Sequence, residues 1–227
     1  MIDYTYLIFM LPALIFSLWA QAKVKSAFAQ ASRMPAPMTG AQAAQMVMDQ
    51  GGAMGVDIDR IPGELTDNYD PRDNRIHLSQ PVCDAATMAA VGVAAHEAGH
   101  AVQYAQGYGP VRVRTAIIPV CQFGSTLSWP LLLLGIFFES NRFFLAGIIL
   151  FCAVVLFQLV TLPVEFNASD RALAALDASG YFTEEQMSQA QKVLRAAAMT
   201  YVAALATSMA QLLRLLAIFG GNSRRRD

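Results

Sequence analysis

Across 227 residues the chain is 55% apolar and only 15% charged, where soluble proteins carry about 25% charged residues; that balance argues against an ordinary soluble domain and for membrane spans around a smaller folded region. The net charge of -1 says nothing about nucleic acid, and with no basic stripe interleaved with aromatics nucleic-acid binding has no support. Cys83, Cys121 and Cys152 are widely separated and two lie in apolar runs, which excludes a disulfide scaffold and a CxxC zinc site.

In chain order, residues 4–20 form an uncharged apolar run, near the lower limit of about 17 residues for a spanning helix. No positive charge precedes it and Lys23 and Lys25 follow it. This fits a retained signal anchor better than a cleaved signal peptide, with the lysines on the cytoplasmic side. Residues 27–37 read as a linker. Thr39 with Gln42 resembles a capping box opening a short helix that Gly51-Gly52 ends. Residues 55–61 and 75–79 alternate as strands do, and the stretch 65–74 between them is dense in turn formers. A small strand-and-hairpin region is expected there. Arg75, Ile76, His77, Leu78 and Ser79 are the candidate exposed edge on which an extended peptide could add as a further strand. Asp84 is expected to cap the next helix and Gly107 to stop it.

Inside that helix stands His96-Glu97-Ala98-Gly99-His100, which uses two of the chain's three histidines. Residues four apart on a helix are separated by roughly 40° around its axis, so both imidazoles face one side and can hold one metal ion. Glu97 is placed beside them as a general base. Two nitrogen ligands, an open position for water and an adjacent carboxylate are what metal-assisted hydrolysis requires.

Residues 115–138 and 143–162 carry no charge and are separated only by Glu139-Ser140-Asn141-Arg142. Each is long enough to cross a hydrocarbon layer of roughly 30 Å, so together they read as a membrane hairpin that returns the chain to the side it left. Ionisable residues, which transporters and channels need in their spans, are missing from both runs. The hairpin delivers Glu165, the first carboxylate after the spans, as the candidate third metal ligand, with His77 and Asp170 as competitors. Gly180 ends that helix, and Thr183 with Gln186 opens a long Ala-rich one. Its second half, residues 199–219, is apolar but contains Gln211 and Arg214 and leads to Arg224-Arg225-Arg226. It either spans the membrane or lies along it.

The motifs Leu65-Thr66-Asp67-Asn68-Tyr69-Asp70-Pro71, Ala94-Ala95-His96-Glu97-Ala98-Gly99-His100-Ala101-Val102-Gln103 and Pro163-Val164-Glu165-Phe166-Asn167-Ala168-Ser169 together resemble the YugP-type neutral zinc metallopeptidases of bacterial membranes. Those proteins are in turn distantly similar to the HtpX and CAAX prenyl membrane peptidases. The resemblance covers nearly the whole chain and implies a third zinc ligand at Glu165. It departs from the wider group at one point. An Asp that orients a ligand histidine is usual four residues after the ligand Glu, where this chain has Ser169, followed by Asp170. The orienting role is therefore shared as a candidate by Asp170, Asn167 and Ser169.

The expectation is a mainly α membrane protein, with three to four transmembrane helices and a small α+β zincin-like catalytic region of the gluzincin, HExxH type. The expected parts are an anchor at 1–22, a catalytic region at 23–114, a membrane hairpin at 115–163, a helical region with the third ligand at 164–198 and a membrane-associated helix with a basic tail at 199–227. One Zn2+ held by His96, His100 and Glu165, with Glu97 as base and Arg171 as an oxyanion candidate, would make it an endopeptidase acting on membrane or membrane-proximal proteins. Its expected location is the bacterial inner membrane, with the site on the cytoplasmic side. The alternative is a non-hydrolytic membrane partner or quality-control scaffold with a closed zinc shell, for instance one that adds His77.

Overall fold

In a computed structural model, residues 4–64 and 66–223 are described. Met1-Ile2-Asp3, Leu65 and the arginine tail therefore lie outside the described residues. The element order is α1 (Tyr4–Ala31), α2 (Gly40–Gly51), β1 (Asp57–Ile61), β2 (Asn68–Asp70), β3 (Arg75–Ser79), α3 (Gln80–Asp84), α4 (Met88–Ala105), α5 (Gly109–Phe137), α6 (Asn141–Ala178) and α7 (Glu184–Ser223). The protein is mainly helical with one small mixed sheet, and α1, α5, α6 and α7 contain segments long and apolar enough to cross a membrane. Two compact units emerge. Among the described residues, one comprises 4–20, 113–162 and 200–223, and the other 21–112 and 163–199.

In the first unit, α5 and α6 pack through small residues. A Cβ at Gly135 would come within 2.6 Å of the Phe144 backbone nitrogen, so the two helices touch backbone to backbone beside the turn. Close approach through small residues substitutes for the hydrophobic effect, which gives helices no drive to associate in lipid. Leu132, Phe144, Ile148, Phe151, Val155 and Leu215 form the core. Many large side chains outside it, among them Leu14, Phe123, Leu133 and Ile149, are exposed, which suits a surface facing hydrocarbon. Between α1 and α7 the hydroxyls of Ser17 and Thr207 lie 3.1 Å apart.

The second unit is built on α2 and α4. Both expected capping boxes form: Thr39 Oγ1 accepts from the Gln42 N–H while Gln42 Oε1 accepts from the Thr39 N–H, and Thr183 with Gln186 repeats the pattern. Gly52, in the left-handed region at φ 74°, ends α2. The N-cap of α4 differs from the expectation. Thr87 accepts from the Ala90 N–H, whereas Asp84 closes the short α3 and pairs with Arg60 at 2.6 Å. An interposed turn of helix moved the start of α4 past Asp84. The core gathers Val47 and Met48 from α2, Ile76 and Leu78 from β3, Met88, Val91 and Ala95 from α4, and Leu176 and Val193 from α6 and α7.

The strand order is β1-β3-β2, with β1 parallel and β2 antiparallel to β3. This corrects the expectation that Arg75, Ile76, His77, Leu78 and Ser79 form an exposed edge. β3 is the central strand. It pairs with β1 along its whole length and with β2 over Arg75 to His77, and the Ser79 N–H is taken by Asp67 Oδ1 at 2.7 Å. Periodicity reports which face a residue occupies but not the order of strands, and the turn-rich stretch hid β2. The face assignment is now clear as well: Ile76 and Leu78 are fully buried, while Arg75 and His77 face the opposite way, toward Asp59 and Asp73.

α6 is one helix of 38 residues, about 57 Å long at 1.5 Å per residue, nearly twice the roughly 30 Å of a hydrocarbon layer. The uncharged run 143–162 and the charged stretch that follows it are thus one continuous element. The second part carries Glu165, Asn167 and Ser169.

Candidate metal centre

α4 sets the site. Thr87 opens it, Gly107 at φ 65° follows its end, and along its length His96 and His100 project from one face. α6 meets this face at Gly99. A Cβ there would lie 2.4 Å from the Ala168 carbonyl oxygen and 3.0 Å from its carbon, so only glycine admits the approach. A glycine within a helix costs about 1 kcal/mol relative to alanine; here it lets α6 bring Glu165 onto the histidines.

The result is a compact donor set. Glu165 Oε2 lies 3.2 Å from His96 Nε2 and 3.5 Å from His100 Nε2, and one ligand atom from each of the three residues falls within 4.8 Å of the others. Among the described residues these three form the one such group. With zinc–nitrogen bonds of about 2.0–2.1 Å and zinc–oxygen bonds of about 2.0–2.2 Å, the edge of a tetrahedral site is about 3.3–3.5 Å. The two observed separations match that edge, and two imidazole nitrogens with one carboxylate oxygen are a usual donor set for zinc with a position left open. The residues present therefore fit a zinc ion. Glu165 is almost fully buried, as an anion can be only when cations surround it. Burial opposes a charge on His100, but the hydrogen-bonded Glu165 and the nearby Glu97 outweigh it and raise its pKa.

The other ring nitrogens are occupied. His96 Nδ1 is 3.1 Å from Ser169 Oγ, and His100 Nδ1 is 3.1 Å from Gln103 Oε1. Asn167 Oδ1 accepts from Gln103 Nε2 at 3.0 Å and from Arg171 Nε at 2.7 Å. Of the three candidate orienting residues, Ser169 touches a ligand directly, Asn167 reaches one through Gln103, and Asp170 is exposed. Arg171 is held by Asn167 and Gln106 and lies 5.6 Å from the centre of the Tyr108 ring. His77, one competitor for third ligand, stands 3.2 Å from Asp73 and outside the cluster; Asp170, the other, is outside it too. Gln103 escaped the sequence reading. Its signal was present, since position 103 lies three residues after His100 and so on the same helix face, but a neutral amide does not stand out as a functional group.

Glu97 points to the sheet. Its Oε2 accepts the Tyr69 backbone N–H at 3.0 Å. β2 is an edge strand, so this amide is one of the donors not used by β3. The turn holds Tyr69 in place: its hydroxyl donates to Asn74 Oδ1 at 2.9 Å, Asn74 Nδ2 donates to the Gly55 carbonyl at 2.8 Å, and its ring lies 5.5 Å from that of Tyr104 on α4. Loss of hydration pushes the Glu97 carboxyl up, against the pull of His96 and His100.

An α-helical pair of histidines, a buried glutamate from a second helix and a neighbouring carboxylate match the donor pattern of zinc hydrolases. The model of the family described as "Putative neutral zinc metallopeptidase" matches residues 6–220, and the chain belongs to this family. It is 44% identical over 209 residues to the "Putative membrane protease YugP" of Bacillus subtilis (strain 168), covering 91% of this chain and 93% of that protein. No solved structure matches the chain.

Proposed function

We propose that the protein is a membrane-embedded zinc endopeptidase in which His96, His100 and Glu165 hold one zinc ion and Glu97 is the general base. The observation that carries the reading is that Glu165 Oε2 stands at about the edge length of a tetrahedral zinc site from both imidazole nitrogens, with the three donors within 4.8 Å of one another and a carboxylate alongside. Zinc bound there would polarise the scissile carbonyl and acidify the attacking water. Glu97 takes the proton of that water and passes it to the leaving amine nitrogen. The Tyr69 N–H holds Oε2, which leaves Oε1 to carry the proton. A pKa raised by burial brings Glu97 nearer the range in which a base both accepts and returns a proton at neutral pH.

The substrate is a protein or peptide, and β2, the edge strand beside Glu97, is where an extended segment would lie. Four helices of membrane-spanning length favour substrates in or close to the bilayer. Lys23 and Lys25, after the first apolar run, favour the inner membrane with the site on its cytoplasmic side.

The test is cleavage of unstructured protein by the purified protein in detergent. Activity is expected to disappear with a chelator and to return with zinc. His96→Ala, His100→Ala and Glu165→Ala are each expected to lose zinc, read by metal analysis, and activity with it. Cleavage that survives in His96→Ala/His100→Ala overturns the proposal.

A further inference from the structure

Gln103 is fully buried, and all its amide atoms are engaged. Nε2 is 2.8 Å from the Val164 carbonyl oxygen and 3.0 Å from Asn167 Oδ1, while Oε1 is 3.1 Å from His100 Nδ1. A backbone carbonyl can only accept a hydrogen bond, so the group facing Val164 is the NH2 of the amide. The group facing His100 is then the carbonyl oxygen, which in turn can only accept. His100 Nδ1 must therefore carry the proton, and the lone pair for a metal is on Nε2, the atom 3.5 Å from Glu165. Asn167 extends the argument. Its Oδ1 also accepts from Arg171 Nε, whose guanidinium donates only, so Asn167 cannot turn its NH2 toward Gln103 without losing that bond. His96 lacks such a constraint, because the Ser169 hydroxyl can donate or accept.

We propose that Gln103 is a positioning residue that fixes the tautomer and ring orientation of His100 for metal binding, and that Arg171 and Asn167 fix Gln103. This rests on the zinc reading above. It also gives Arg171 a part in ordering the site that is separate from contact with a substrate.

The experiment measures zinc affinity by competition with a chromophoric chelator, together with nitrogen-edited spectra of protein labelled at its three histidines. Gln103→Met keeps the length of the side chain and removes the acceptor. It is expected to bind zinc about 10–100-fold more weakly and to lose the protected Nδ1–H resonance of His100 while leaving the ring resonances of His96 unchanged. Gln103→Glu restores an acceptor oxygen for His100 Nδ1 and, as the protonated acid whose hydroxyl donates to the Val164 carbonyl, is expected to bind zinc more tightly than Gln103→Met. Zinc affinity in Gln103→Met equal to wild type, or equal weakening in the Met and Glu variants, overturns the inference while the zinc site stands. A wild-type protein that takes up no zinc overturns both. Should Gln103→Met fail to fold, Asn167→Ala replaces it. Weaker zinc and a broadened His100 resonance are expected there, and an unchanged affinity and spectrum overturn the proposal.

Discussion

Glu97→Gln is expected to retain zinc and lose peptide cleavage. The amide keeps a carbonyl oxygen where Oε2 accepts the Tyr69 N–H, so the side chain and β2 can stay in place. What is lost is a group able to take a proton from water and return it to the leaving nitrogen. General acid–base catalysis contributes about 10²–10⁴-fold, and because in the proposed mechanism one carboxylate serves both transfers the upper part of that range is expected. Metal analysis checks the first half of the result and turnover of an unstructured protein the second. Undiminished turnover with full zinc would remove Glu97 from the mechanism and leave the metal site unaffected.

Gly99→Ala is expected to disable the site without touching a ligand. The new Cβ would lie 2.4 Å from the Ala168 carbonyl oxygen, where an ordinary carbon–oxygen contact begins near about 3.3 Å. Backbone stands on both sides of this contact, so the two helices must part by roughly 1 Å. Ala168 is on the next turn of α6 after Glu165, and the displacement reaches the ligand. Misplacement on that scale can cost about 10²-fold in rate, and forcing extra volume into a packed contact costs about 1–3 kcal/mol of stability. Thermal unfolding and chelator competition should both register the change. Ala168→Gly is expected to give no rescue, since the clash is with a carbonyl that glycine also has. A Gly99→Ala protein with wild-type melting and zinc affinity would show that the close approach is not needed.

The candidate cluster is legible in the sequence as far as it depends on local chemistry. Histidines four apart must share a helix face, and a carboxylate following an uncharged run stands out, so His96, His100 and Glu165 could be nominated before the structure brought them together. The capping boxes at Thr39 and Thr183 were legible for the same reason, being contacts over three residues. What could not be read depends on distant partners. The order of the strands is invisible to alternation, so Arg75 to Ser79 looked like an edge until β2 was found paired against it. Asp84 was the expected cap, and the one-turn helix that shifts the start of α4 to Thr87 leaves no mark in the local pattern. Gln103 acquires meaning only when the carbonyl of Val164 on another helix dictates which way its amide faces.

The bond from the Tyr69 N–H to Glu97 has a use outside catalysis. Amides on the free side of a short edge strand ordinarily exchange their hydrogen with solvent quickly. This one is held by a carboxylate, a stronger acceptor than a neutral carbonyl, and should exchange slowly for its position. Deuterium uptake at Tyr69 thus acts as a clock on the side chain of Glu97. It is expected to quicken most in Glu97→Ala, to quicken less in Glu97→Gln, whose neutral carbonyl is the weaker acceptor, and to respond when a bound peptide draws the base away from the strand.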